Sequence, residues 1–60
     1  MKFQFIKNCF GLQLMNKNYR KYNIIDNCKI INVRGVNRVV HYTEMSIEII
    51  PLEYLKEYKH

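Results

Sequence analysis

Between residues 29 and 50, apolar and polar positions exchange at a period of two, the pattern of strands with one face buried. Residues 29–34 put Ile31 and Val33 on one face and Asn32 and Arg34 on the other. Residues 38–43 set Val40 and Tyr42 against Val39, His41 and Thr43, and residues 46–50 set Ile47 and Ile49 against Ser46 and Glu48. Gly35 and Asn37 tolerate positive φ and supply the first turn. The pattern predicts a three-stranded β-meander around which the rest of the chain packs.

The flanks add shorter elements. Residues 2–7 read as a strand with Phe3 and Phe5 on one face. Residues 10–15 alternate Phe10, Leu12 and Leu14 with Gly11, Gln13 and Met15, and Gly11 weakens that strand or marks a bulge. The two could form an opening hairpin around Asn8 and Cys9. Residues 16–23 have no hydrophobic period and read as a loop. A short strand over 22–25 then meets Asp26 and Asn27, both tolerant of the left-handed conformation, as a hairpin turn.

Pro51 closes the sheet and fits the first position of a helix. Leu52, Leu55 and Tyr58 follow at helical spacing, with Glu53 early and Lys56 and Lys59 late, which suits the helix dipole. A helix this short must dock to persist. The expected fold is therefore α+β: one domain, residues 1–60, with a small curved antiparallel β-sheet of five or six strands, or a small open barrel, and one short C-terminal helix. The expected core takes Phe3, Phe5, Leu12 and Leu14 from the front and Ile31, Val33, Val40 and Tyr42 from the first two meander strands. Ile47, Ile49, Leu52 and Leu55 complete it.

Length and charge narrow the function. A chain of 60 residues buries only about 60% of the surface that its unfolded form exposes. Such a core leaves little room for a deep, water-excluding cleft, so the chain is not expected to be an enzyme, and self-association as a homodimer is expected. The formal net charge is +5, unevenly spread. Residues 1–25 carry five cations and no acid, whereas residues 44–60 hold four glutamates against two lysines. A basic front points to a polyanion or an acidic protein surface as partner. The excess of Ile, Asn, Lys and Tyr, with no Ala or Trp, is the bias of AT-rich coding and fits a viral protein or one from a low-GC bacterium.

Cys9 and Cys28 are too few for a disulfide framework. No secretory pattern opens the chain, and no apolar run approaches the roughly 18 residues of a membrane span. These features predict a cytoplasmic protein with reduced thiols, in the host cytoplasm if viral, and no membrane association. Cys9, Cys28, His41 and His60 lack the close spacing of a zinc site, so no metal or other cofactor is expected. Cys28 and His41 are the one mid-chain Cys–His pair, and nothing beside them suggests an oxyanion hole.

The stretch 16–23, NKNYRKYN, carries the strongest functional signal. Lys17, Arg20 and Lys21 can neutralise phosphates, and Tyr19 and Tyr22 can stack on bases or lie over sugars. The Tyr22 ring is placed at least as readily, in part, in the core of the next strand. Arg34 and Arg38 flank Gly35 and extend the basic set. The expected function is a small nucleic-acid-binding module that uses Lys17, Tyr19, Arg20, Lys21, Arg34 and Arg38, with DNA or RNA as partner. The alternative is a small virus- or phage-type inhibitor or adaptor that binds and blocks a host protein.

One resemblance adds to this reading. Val33-Arg34-Gly35, then Val39-Val40-His41-Tyr42-Thr43, then Ile47 and Leu52-Glu53-Tyr54-Leu55-Lys56-Glu57, resembles the strand–strand–helix portion of LytTR-type DNA-binding domains. It covers about half the chain and implies a helix after Pro51. That family's later basic segment has no counterpart here, and no site residue is carried over.

Overall fold

The computed structural model describes residues 1–10 and 18–59. Those residues form two three-stranded antiparallel sheets. The first contains β1 (Phe3–Phe5) at its centre, flanked by β2 (Ile24–Ile25) and β6 (Leu55–Glu57). The second is the predicted meander: β3 (Cys28–Val33), β4 (Val36–Tyr42) and β5 (Ile47–Pro51).

The meander's first turn is tighter than the sequence suggests. Arg34 and Gly35, with φ of 53° and 82°, are its two central residues, and Val33 pairs with Val36. Two left-handed residues in succession match the right-handed twist of the flanking strands. Asn37 is a strand residue, and its side chain accepts a hydrogen bond from Asn32 Nδ2 at 2.9 Å.

The C-terminal helix is absent. Leu52–Tyr54 make a single 3₁₀ turn, and Leu55–Glu57 then run as β6 against β1. Leu55 pairs with Phe5, Lys56 with Gln4 and Glu57 with Phe3. The α+β expectation is therefore corrected to a nearly all-β fold. The helical spacing is real, but a segment of about nine residues cannot offset the cost of helix nucleation alone. Pairing instead satisfies an edge of β1 that would otherwise be open. It also buries Leu55, as its helical role would have done.

Asp26 and Asn27 do not close a hairpin. β2 pairs with β1 and β3 with β4, so these two residues hand the chain from one sheet to the other. The left-handed residue is Asn27, φ 59°, and its N–H bonds the Asp26 side chain at 2.8 Å. Of the expected opening hairpin, the first strand is present as β1, and the second lies outside the described residues from residue 11 on. β1 takes β2 and β6 as partners, while Cys9 bridges Tyr19 through paired backbone bonds of 2.7 and 3.0 Å. Lys17 and the remainder of that predicted strand, including Leu12 and Leu14, lie outside the described residues.

The core lies where the two sheets meet. Phe3, Phe5, Ile25 and Leu55 enter from the first sheet, and Cys28, Val39 and Ile50 from the second. Cys9 and Tyr19 come from the arms of the long connection between β1 and β2. Phe3, Phe5 and Val40 are buried as the alternation predicts, Leu55 is buried as expected but on a strand and not a helix, and Leu52 packs against the cluster.

The meander itself faces the other way. Val39 and Ile50, opposite each other in register, are fully buried, whereas Val33, Tyr42 and Ile47 are exposed. Ile31 and Ile49 share that outward face and are half-buried. The dipeptides Ile30-Ile31, Val39-Val40 and Ile49-Ile50 make both faces apolar, so alternation alone does not select one. A one-residue change of phase moves every side chain to the opposite face.

Candidate functional site

Two places in this fold concentrate chemistry. The first is a buried polar cluster between the sheets. Glu48 on β5 is 2% exposed and sits opposite His41 on β4. Tyr19 Oη donates to Glu48 Oε1 at 2.7 Å, and His41 Nδ1 lies 2.8 Å from the same oxygen. An ionised carboxylate only accepts, so His41 carries its hydrogen on Nδ1 in this pairing. The phenol ring of Tyr19 stacks on Phe5, with centroids 4.6 Å apart and planes at 11°. Burial is the main cause that pushes the Tyr19 hydroxyl above its usual pKa, with its bond to Glu48 next.

This cluster ties three elements together: the loop arm through Tyr19, β4 through His41 and β5 through Glu48. Cys28 is directly opposite His41 across β3 and β4, so the register does bring the Cys–His pair together. The thiol is unsuited to attack. Burial pushes its pKa up to about 11, so it stays protonated at neutral pH, and its hydrogen is directed to the Asp26 carbonyl at 3.4 Å. The described residues contain no group of three or more His, Cys, Asp or Glu side chains able to hold a metal ion. The cluster is organised to hold the core together.

The second place is the turn that leads into β2. Asn23 N donates to Arg20 O at 3.0 Å, and Arg20 N donates to the Asn23 side chain at 3.0 Å. Between them, Lys21 N donates to Asn8 Oδ1 at 2.8 Å and Tyr22 N to Phe5 O at 2.8 Å. Tyr22 holds φ at 77°, a left-handed conformation costly for a bulky side chain. Its ring is 67% exposed, and the Lys21 ammonium lies 5.0 Å from the ring centroid. Arg20 and Lys21 are exposed. Lys7 lies two residues past Phe5, whose carbonyl accepts the Tyr22 N–H, and its ammonium is 4.5 Å from the Tyr54 ring centroid.

The two tyrosines, both able to stack on a base by sequence alone, are separated by the fold. Tyr19 is 9% exposed, with one ring face against Phe5 and its hydroxyl bonded within the core, so it is not free to stack on a base. Tyr22, placed in part in the core by the sequence, is the exposed ring. Hydrophobic periodicity is silent across 16–23, and neither residue's neighbours distinguish the two. Arg20 and Lys21 are adjacent on the turn, whereas Arg34 and Arg38 lie on the β3–β4 hairpin of the other sheet. Glu48 was missed as a buried partner, because on an alternating strand it reads as a solvent-facing residue.

No family model matches the chain, and no match was found among curated proteins or solved structures. The strand–strand–helix likeness to LytTR-type domains loses its helix, because Leu52–Tyr54 is a 3₁₀ turn followed by β6. No helix among the described residues is long and apolar enough to cross a membrane.

Proposed function

We propose that this protein is a small binding module for single-stranded nucleic acid, and that the Arg20, Lys21 and Tyr22 turn is its contact surface. One observation carries the reading: a bulky aromatic residue is held exposed in a strained conformation beside Arg20 and Lys21. Strain at a non-glycine position persists only where the surroundings enforce it, and such positions cluster at functional sites. Here the enforcement is the set of hydrogen bonds that the Lys21, Tyr22 and Asn23 N–H groups donate to Asn8 Oδ1, Phe5 O and Arg20 O. The exposed ring offers a stacking platform that tolerates any base, and the exposed Arg20 and Lys21 beside it supply positive charge for phosphates. Lys7, and Lys17 within the same basic stretch of sequence, add to the charge. Arg34 and Arg38 are less central, since they sit on the other sheet.

The test is fluorescence anisotropy with labelled single-stranded DNA and RNA over a salt series. Replacing Arg20 and Lys21 together by alanine is expected to weaken binding about uniformly across sequences. It should also flatten the slope of log affinity against log salt by roughly 0.7 per lost contact. Tyr22→Ala is expected to cost about 1–3 kcal/mol of binding, with an unchanged salt slope. Absence of any affinity for either nucleic acid at low salt ends the proposal.

A further inference from the structure

We infer that the outward face of the β3–β4–β5 sheet is a docking site for an acidic amphipathic helix of a protein partner. The inference makes the protein-binding alternative concrete and does not depend on the nucleic-acid reading, since the Tyr22 turn belongs to the other sheet.

The register lays this face out in four rows. Val33 pairs with Val36 at one end, and Tyr42 with Ile47 at the other. Between them run Ile31, Arg38 and Pro51, then Lys29, Val40 and Ile49. Val33, Val36 and Tyr42 are each about half exposed, and Ile47 is 62% exposed. A three-stranded antiparallel sheet with one solvated face normally shows polar residues there. Here every row carries apolar side chains: the two end rows are exposed, whereas in the middle rows Val40 is buried and Ile31, Ile49 and Pro51 are half-buried.

Charge selects the occupant. The two ionisable side chains within the four rows that carry charge at neutral pH are Lys29 and Arg38, both cationic, and no carboxylate shares the face. A second copy laid on this surface would oppose the same cations, at a cost in an interface. A partner with apolar residues flanked by carboxylates meets both demands. Arg38 on the central strand is placed to receive one carboxylate and Lys29 on the edge another. Arg and Tyr are also the residue types that dominate interface energetics.

Size selects a helix. Three strands span about 10 Å from edge to edge, which is about the diameter of one α-helix with its side chains. Five to seven strand residues run roughly 17–23 Å, the length of about three to four helical turns. A helix along the strands would lay one apolar stripe over the exposed Val33 and Ile47 and the half-buried Ile31 and Ile49 between them.

The experiment uses the full chain and two synthetic peptides of about four helical turns, each with leucine along one face. One peptide carries glutamate on both flanks of the stripe and the other carries lysine. Anisotropy is expected to show the acidic peptide binding the wild-type protein at least about tenfold more tightly than the basic one. Ile47→Asp should weaken the acidic peptide by about tenfold or more, with an unchanged thermal midpoint because Ile47 lies outside the core. Arg38→Glu should reverse the preference between the peptides, which a merely structural role for Arg38 would not do. Tyr22→Ala should leave both peptides unaffected. Equal binding of the two peptides, no binding of either, or amide shift changes confined to the Tyr22 turn would overturn the inference. So would a concentration-dependent dimer that Ile47→Asp abolishes, since the occupant would then be a second copy.

Discussion

Tyr19 and Glu48 stand 29 residues apart in the chain, and the phenol hydroxyl of one donates to the buried carboxylate of the other at 2.7 Å. The bond joins the loop arm after β1 to the central face of the meander. It turns a residue that alternation marks as solvent-facing into part of the core. A buried carboxylate is tolerated only where its acceptors are satisfied, and here Tyr19 and His41 satisfy one oxygen together.

Removing the donor therefore has a defined cost. Tyr19→Phe keeps the ring on Phe5 but takes away the hydroxyl, and is expected to destabilise the protein by about 1–3 kcal/mol. Combined with Glu48→Leu, which removes the acceptor, in a double-mutant cycle, the pair should show a coupling of about 0.5–3 kcal/mol. Urea unfolding of the four proteins measures it. Strict additivity would mean that the bond contributes nothing to stability.

The two tyrosines of the basic stretch should separate cleanly. Tyr19→Ala opens a cavity beside Phe5 and is expected to cost about 3–5 kcal/mol, as other buried aromatics do. Tyr22→Gly relieves the left-handed backbone and removes no core contact, so it should raise stability by up to about 1 kcal/mol. The same substitution should abolish base stacking, so stability and binding move in opposite directions. A Tyr22→Gly protein that melts well below wild type would show that the ring packs after all.

Alkaline pH should loosen the fold through Cys28. Burial raises its thiol from 9.0 to about 11 in the folded chain, so between those values the unfolded chain has lost a proton that the folded chain keeps. Stability from this group is thus complete below pH 9.0 and falls as pH rises through about 11. Cys9 is raised chiefly by burial and acts in the same direction. Cys28→Ala should reduce the slope of unfolding free energy over this window without removing it. Thiol-reactive dye at neutral pH should label the native protein slowly and the urea-unfolded protein fast. Rapid labelling of the native chain would contradict the buried, protonated thiol.

The β3–β4 turn offers a test of backbone conformation alone. Arg34 sits at φ 53° and Gly35 at 82°. A methyl group at Gly35 would meet no atom within 4 Å, so Gly35→Ala can act only through its dihedral angle. Its expected cost is about 1–2 kcal/mol. Arg34→Asn creates the Asn-Gly pair preferred in such turns and should gain a few tenths of a kcal/mol or more. Thermal melts of both variants check the signs. An unchanged midpoint for Gly35→Ala would contradict the left-handed assignment.

Much of this protein is written locally in its sequence. Period-two alternation over 29–50 marks a three-stranded meander, because strand side chains alternate by steric necessity whatever lies around them. Gly35 and the Asp26, Asn27 pair mark left-handed backbone, and Pro51 marks a break, for equally local reasons. The clustering of Arg20 and Lys21 with two tyrosines is a fact of sequence alone. Tertiary structure decided what each local signal serves. Leu52 and Leu55 have helical spacing, yet the segment became a 3₁₀ turn and a strand because β1 presents backbone groups that pairing satisfies and nine residues cannot hold a helix unaided. Asn27 bends the chain in either role, but only the partners of β2 and β3 make the Asp26, Asn27 pair a corner between sheets. Tyr19 and Tyr22 share one chemistry, and the stack on Phe5 and the reach to Glu48 chose which ring is buried. The face of the meander was undetermined for the same reason. With Ile30-Ile31, Val39-Val40 and Ile49-Ile50 both faces are apolar, and only the first sheet, lying against Val39 and Ile50, selected the inner one.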